Sequence, residues 1–215
     1  MSELVLYIGN KNYSSWSFRP WFAMRTLEIE FKEKLVPFDM AAGNPAFAAF
    51  SPTNKVPVLE HGHLRVWESL AIMEYLNDLF YTKHVWPHEH DNRAHARAIS
   101  CEMLSGFSAL RSECPMNMRR EPAPLDVSEA ARRDVRRIET IWRECLERHG
   151  GPFLFGHFTA ADAMFAPVVN RFDIYRLTTD ATALSYMDHI KSLPAWKEWE
   201  AAGKAESWIV EEDEV

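Results

Sequence analysis

The chain has 215 residues, 47% apolar and 26% charged, the balance of a folded globular protein, which excludes wholesale disorder. Asp and Glu number 31 against 24 Lys and Arg, and the net charge of −7 argues against a surface built to grip nucleic acid phosphates. No stretch approaches the roughly 18 apolar residues of a membrane span, and Glu3 precedes the apolar run Leu4 to Ile8 without a basic region, so no signal peptide is expected.

Leu4 to Ile8, closed by Gly9 and Asn10, reads as a buried strand. Trp16 to Ile29 reads as a helix, with Phe18, Phe22, Arg25 and Ile29 about one turn apart. Lys34 to Phe38 reads as a second strand, and Asn44 to Phe50 as a short helical turn before Pro52. Pro57 to Glu60 and Leu64 to Val66 flank His61-Gly62-His63 as a compact hairpin. Ser69 opens a helix whose apolar face is Ile72, Tyr75, Leu76, Leu79 and Phe80. The order is β-α-β-α-β-β-α, with the first two strands parallel because a helix crosses between them.

Beyond the linker no strand signal survives. Asp91 to Glu113 reads as one long helix, Pro115 to Pro124 as a break, and Val127 to Arg148 as a second helix. Arg132, Arg133, Arg136 and Arg137 form a basic patch on it, but 111–148 holds 9 basic and 8 acidic residues, which predicts a salt-bridged solvated face. Gly150-Gly151-Pro152 stops that helix. Thr159-Ala160-Ala161-Asp162 looks like a capping box opening the next. Final helices are expected over Thr182 to Leu193 and Ala195 to Lys204, then a solvated, mobile tail from Glu211 to Glu214.

Cys101, Cys114 and Cys145 make neither a disulfide framework nor a Cys-x-x-Cys pair, which fits reduced thiols in a cytoplasmic chain. His84, His88, His90 and His95 lie close together in sequence but lack acidic or Cys partners at ligand spacing. They read as solvated linker histidines, and no metal is expected.

The stretch richest in chemistry is Tyr13-Ser14-Ser15-Trp16-Ser17-Phe18-Arg19-Pro20. Proline lacks an amide proton and suits the first turn of a helix, which puts the cap near Ser15 or Trp16. Ser14 and Ser15 then sit beside free amides at a positive dipole end, a place that stabilises an anion, or else they simply cap the helix. Val56-Pro57 stands at the mouth of the third strand, where proline suits a strand start or a cis turn and exposed Val56 backbone groups can pair with an extended peptide. Glu68-Ser69 opens the third helix. Ser69 can present an amide and a hydroxyl to a carboxylate, and Glu68 can receive an ammonium group.

Together these motifs resemble the glutathione transferase superfamily over the whole chain. Val56-Pro57 and Glu68-Ser69-Leu70-Ala71-Ile72 are similar to its thioredoxin-like half, and Phe155-Gly156 with Thr159-Ala160-Ala161-Asp162 to its helical half. The nearest subgroup is the zeta class, which includes maleylacetoacetate isomerases; its Ser-Ser-Cys-x-x-Arg signature is matched by Ser14-Ser15-Trp16-Ser17-Phe18-Arg19, with Trp16 in place of the cysteine. The resemblance implies an α/β thioredoxin-like N-terminal domain (1–82), a linker (83–89) and an all-α C-terminal helical bundle (90–215). It implies glutathione as co-substrate, a small electrophile as partner and a homodimer. Ser14, or Ser15 as second candidate, would donate to the glutathione sulfur. Val56 beside a cis Pro57 would pair with its cysteinyl unit, Glu68 and Ser69 would hold the γ-glutamyl end, and Lys55 would neutralise a carboxylate. Trp16, Phe107 and Arg111, with Met103 nearby, are candidates for the electrophile pocket. A glutathione-dependent cis–trans isomerase and a non-catalytic binding module of the same fold are the alternatives.

Overall fold

The computed structural model describes residues 2–215. Strand β1 (Leu4–Ile8) pairs in parallel with β2 (Lys32–Leu35) and antiparallel with β3 (Val58–His61), which forms a hairpin with β4 (Leu64–Trp67), giving the order β2-β1-β3-β4. β2 begins two residues before the expected Lys34. Its ladder ends with Val36 N–H donating to Ile8 C=O (2.9 Å), because Pro37 has no proton with which to continue.

Helix α1 (Ser15–Thr26) crosses between β1 and β2, and α2 (Ser69–Leu79) follows the hairpin. Between β2 and β3, Pro45–Ala49 forms a single 3-10 turn. Pro20 lies at the sixth position of α1, not in its first turn. The cap therefore falls on Ser14, earlier than the proline suggested, and the helix forgoes the bond from residue 20 to the Trp16 carbonyl.

The remaining helices are α3 (His90–Ser105), α4 (Ser108–Glu113), α5 (Glu129–His149), α6 (Ala160–Ile174), α7 (Ala181–Ser192) and α8 (Pro194–Ala205). The expected single helix over 91–113 is two. Gly106 leaves the helix in extended conformation, Phe107 follows at φ 55°, and the Arg111 guanidinium donates to the freed carbonyls of Leu104 and Gly106 (3.1 and 3.4 Å). Three of the four arginines of the basic patch on α5 are paired, Arg132 to Asp126, Arg136 to Glu129 and Arg137 to Glu102. Among the described residues no helix is long and apolar enough to cross a membrane.

Helix α6 is the axis of the molecule, buried almost along its whole length. Its capping box closes on Asp162, which accepts from the amides of Thr159 (2.9 Å) and Leu154 (3.0 Å) and from the Tyr186 hydroxyl (3.2 Å). α1 packs along α6, and Phe18, Phe22 and Trp21 mesh with Trp196 and Trp199 of α8. Five of the eight tryptophans, Trp21, Trp86, Trp142, Trp196 and Trp199, are fully buried and fill this core and the seam between the sheet-bearing and helical parts.

Two further expectations change in part. His84, His88 and His90 are exposed as expected, while the segment between α2 and α3 is anchored by its apolar residues: Val85, Trp86 and Pro87 are buried, and Val85 C=O accepts from the Ala160 amide (2.7 Å). His95 lies on α3 with its ring edge against Phe155, not in solvent. The acidic tail is not free either. Glu211–Asp213 forms a 3-10 turn, Val210 is buried, and Glu214 bonds Tyr13.

Candidate functional site

The start of α1, the turn before β3, the start of α2 and the helical side enclose one cleft of about 590 Å³. That volume suits a small-molecule site. Ser14, Ser15, Trp16, Lys55, Val56, Pro57, Glu68, Arg111, Arg171 and Asp213 are among the residues lining it.

Ser14 is the N-cap of α1, and Ser15 is the first helical residue. The loop before them is fixed by short bonds. The Asn10 carbonyl accepts from the amides of Tyr13 (3.2 Å) and Ser14 (2.8 Å), while its side chain accepts from Phe38 N–H (2.7 Å). Glu206 accepts from the amides of Lys11 (2.7 Å) and Asn12 (3.1 Å), so the helical part grips the same loop. The Ser14 hydroxyl lies 2.7 Å from the hydroxyl of Ser17, which accepts from Gly9 N–H at 3.1 Å, and Ser17 N–H reaches back to Ser14 Oγ at 3.4 Å. The Ser14 hydroxyl is the donor of that pair, so Ser17 Oγ accepts from both Ser14 and Gly9 N–H.

Opposite, the Val56–Pro57 peptide is cis. Neither Val56 N–H nor Val56 C=O has a hydrogen-bond partner among the described residues, which leaves a strand-like edge open to an extended ligand. Glu68 is exposed at φ 69°, a conformation costly for a residue with a Cβ, and it marks the start of α2. Lys55 is exposed at the rim. Ser69 differs from expectation: its hydroxyl is fully buried against the Met164 sulfur (3.9 Å) and does not line the cleft. Its backbone stands at the start of α2, next to Glu68 of the cleft lining.

On the helical side, Trp16 lines the cleft, with the guanidiniums of Arg19 and Arg111 at 4.5 Å and 5.0 Å from its ring centre. Phe107 does not reach the cleft. Its left-handed backbone turns the ring into the core, where Met103 also lies. Burial holds Arg19 down at about 9 and Arg171 at about 10, helped by repulsion from neighbouring arginines, and burial also lowers Arg111. The buried thiols are raised by the same cause, Cys114 to about 11 and Cys145 to about 12, so neither offers a thiolate at neutral pH. Among the described residues no cluster of three or more His, Cys, Asp or Glu could hold a metal ion.

Sequence reasoning missed Ser17, Asn10, Arg171, Glu206 and Asp213. Of these Arg171 carried a signal, a lone charge after the apolar run Ala163 to Val169. The others become visible only when distant segments meet.

Comparison with known proteins bears on both parts. The glutathione S-transferase N-terminal domain family matches residues 13–79, and the glutathione S-transferase C-terminal domain family matches 126–202. A Caenorhabditis elegans protein named probable maleylacetoacetate isomerase is 28% identical over 174 residues, covering 79% of this chain and 80% of its own. Glutathione S-transferase 1 of Dianthus caryophyllus is 24% identical over 172 residues, covering 78% and 76%. Among solved structures, a Burkholderia glutathione transferase homologue with bound glutathione superposes with a TM-score of 0.71 at 21% identity, over 95% of this chain and 99% of that one. Glutathione S-transferase unclassified 2 from Bombyx mori gives 0.72 at 20%, over 94% of each. At such identities these two likenesses speak for the fold: a thioredoxin-like half joined to a helical half.

Proposed function

Because this chain belongs to the glutathione S-transferase family in both its matched parts, we propose that it binds glutathione in this cleft and activates the thiol for addition to a small electrophile. The Ser14 hydroxyl supports this most directly: it caps α1 at the cleft wall, where a hydroxyl donor and the positive helix end both favour a thiolate over a thiol. The thiolate is the nucleophile, and Ser14 stabilises it by hydrogen bonding without forming a bond to the electrophile. Ser15 is the alternate donor. Val56 pairs with the cysteinyl backbone through its open N–H and C=O. Glu68 takes the ammonium group and the α2 start at Ser69 takes the adjoining carboxylate, while Lys55 balances the glycyl carboxylate. Trp16 and Arg111 border the electrophile, which lies toward the helical side. The division into 1–82, 83–89 and 90–215, a homodimer and a cytoplasmic setting complete the proposal.

The test is an ultraviolet pH titration of the thiolate of bound glutathione. Ser14→Ala should raise its pKa by about one to two units, the worth of one charge-assisted hydrogen bond at 1.36 kcal/mol per unit. An unchanged pKa in that variant moves the role to Ser15 or a backbone amide. A glutathione-dependent isomerase is the second reading, favoured by the name of the nematode relative. Turnover of maleylacetoacetate without consumption of glutathione would establish it.

A further inference from the structure

A second pocket, of about 530 Å³, opens where α2 gives way to α3, and it shares no lining residue with the cleft. Its size suits a small molecule. The end of α2 (Asn77, Asp78), the turn after it (Tyr81), the connecting segment (Trp86, His88) and the start of α3 (Arg93) all contribute to its wall.

Three polar groups in that wall are left over by the fold. Trp86 is only 2% exposed, and its indole N–H is buried with no acceptor among the described residues. Such a donor carries its desolvation cost in full until an acceptor meets it. Arg93 donates through Nη1 to the carbonyls of Pro87 (3.3 Å) and His88 (2.7 Å), which fixes its guanidinium at the pocket. Neither Arg93 nor Asp78 forms an ion pair among the described residues, although both line the same space. The neighbouring arginine of α3, Arg97, is already taken by Glu74 (2.8 and 2.5 Å).

The wall is therefore divided by charge. Asp78 stands in the last turn of α2, where Lys83 N–H turns to the Phe80 carbonyl instead of continuing the helix. That end presents free carbonyls and the negative end of the helix dipole. Trp86 and Arg93 present donors. Tyr81, 69% exposed, is held edge to face with His88 by the contact between its hydroxyl and His88 Nε2 (3.2 Å), so a fixed aromatic ring borders the same space.

We propose that this pocket binds a zwitterionic α-amino acid with a flat apolar side chain. Its carboxylate meets the Trp86 indole N–H and the Arg93 guanidinium, its ammonium meets Asp78 and the α2 carbonyls, and its side chain lies against Tyr81. A simple anion satisfies one part of the wall and is repelled by the other, and a simple amine does the reverse. The site stands apart from the cleft and from the glutathione reading.

L-Phenylalanine is the probe, with phenylpropionate and phenethylamine as analogues lacking the ammonium and the carboxylate. Each is titrated into the nitrogen-labelled full chain while the indole N–H resonances are followed by NMR. Trp86 is identified by its loss in Trp86→Phe or, if that variant does not fold, by sequential assignment. L-Phenylalanine should move the Trp86 resonance downfield to saturation, and each analogue should bind at least about tenfold more weakly, the worth of one charge-assisted contact. Arg93→Gln should weaken L-phenylalanine about tenfold without weakening phenethylamine. Asp78→Asn should weaken it about threefold without weakening phenylpropionate, a smaller effect because that carboxylate is exposed. If Arg93→Gln fails to fold, Asp78→Asn decides. A Trp86 resonance that stays put for all three probes up to about 10 mM overturns the site. Equal binding of the three probes, or an L-phenylalanine affinity untouched by Asp78→Asn, overturns it as well. Movement of Trp16 or Trp67 alone places the probe in the cleft and has the same consequence.

Discussion

At the scale of single residues, the serine motif holds a pair rather than one donor. Ser14 faces the cleft and Ser17 is wholly buried behind it, where it accepts from the Ser14 hydroxyl and from Gly9 N–H. If Ser14 donates to the glutathione sulfur as proposed, its Oγ is freed to accept from the Ser17 hydroxyl, which would make Ser17 a positioning residue. Ser17→Ala should raise the pKa of bound glutathione by about half a unit, less than Ser14→Ala, because it removes a donor one hydroxyl removed from the sulfur. It should also cost about 1 kcal/mol of stability by stranding the Gly9 amide. A thermal midpoint that falls while the thiol pKa stays put would make Ser17 structural only; glutathione affinity at saturating pH should be unaffected either way. The motif itself was legible, since hydroxyls before an apolar helix announce a cap. The pairing was not, because it depends on the turn at Asn10 bringing Gly9 over Ser17.

At the scale of elements, strands and amphipathic helices were readable wherever the apolar period was clean, as in Leu4 to Ile8 and along α5 (Ala131, Val135, Ile138, Trp142, Cys145). Breaks were harder. Gly106 was the only mark of the α3–α4 junction, and a Cβ there would meet the Glu102 carbonyl at 2.7 Å, so the glycine permits a close turn rather than merely weakening a helix. The capping box at Thr159-Ala160-Ala161-Asp162 was legible because its chemistry is local in sequence. Its reach was not: the Asp162 carboxylate also ties the Leu154 amide and the Tyr186 hydroxyl to the start of α6. Asp162→Ala leaves those buried donors without an acceptor and should cost about 3 kcal/mol or more, seen in urea unfolding as a lower midpoint with an unchanged slope. The pH dependence has a definite sign. Burial raises the Asp162 carboxyl from 3.8 to about 6, so the native state holds its proton more tightly than the unfolded chain. The stability gap between wild type and Asp162→Ala should therefore narrow as pH rises from about 4 to about 6 and stay flat above. A gap that widens over that range would mean that the hydrogen bonds outweigh burial.

At the scale of the whole molecule, the C-terminal segment meets the loop before α1 beside the cleft, an arrangement no local pattern in an acidic tail could reveal. Arg119 donates to the carbonyls of Glu206 (2.6 Å) and Trp208 (2.9 Å), Asn117 donates to that of Asp213 (3.5 Å), and Glu214 bonds Tyr13, the residue before Ser14. The tail is a strap across the wall where the electrophile is proposed to enter. Two of its carboxyls are raised by burial, Glu206 and Asp213, the latter against the opposing pull of Arg171 and with help from Glu212 and Glu214. The docked strap then binds protons more tightly than an undocked one. Docking is favoured at low pH, and the advantage is lost as pH rises from about 4 through about 6. Hydrogen exchange of residues 207–215, corrected for intrinsic rates, should therefore show protection at pH 5 that declines by pH 7, while α6 stays protected throughout. Asp213→Asn should hold the protection nearly constant across that range, since it removes the larger titration and leaves the fold of the turn intact. Protection that instead rises with pH would mean that the ionised Asp213 is drawn in by Arg171, making the strap a true occupant of the arginine wall.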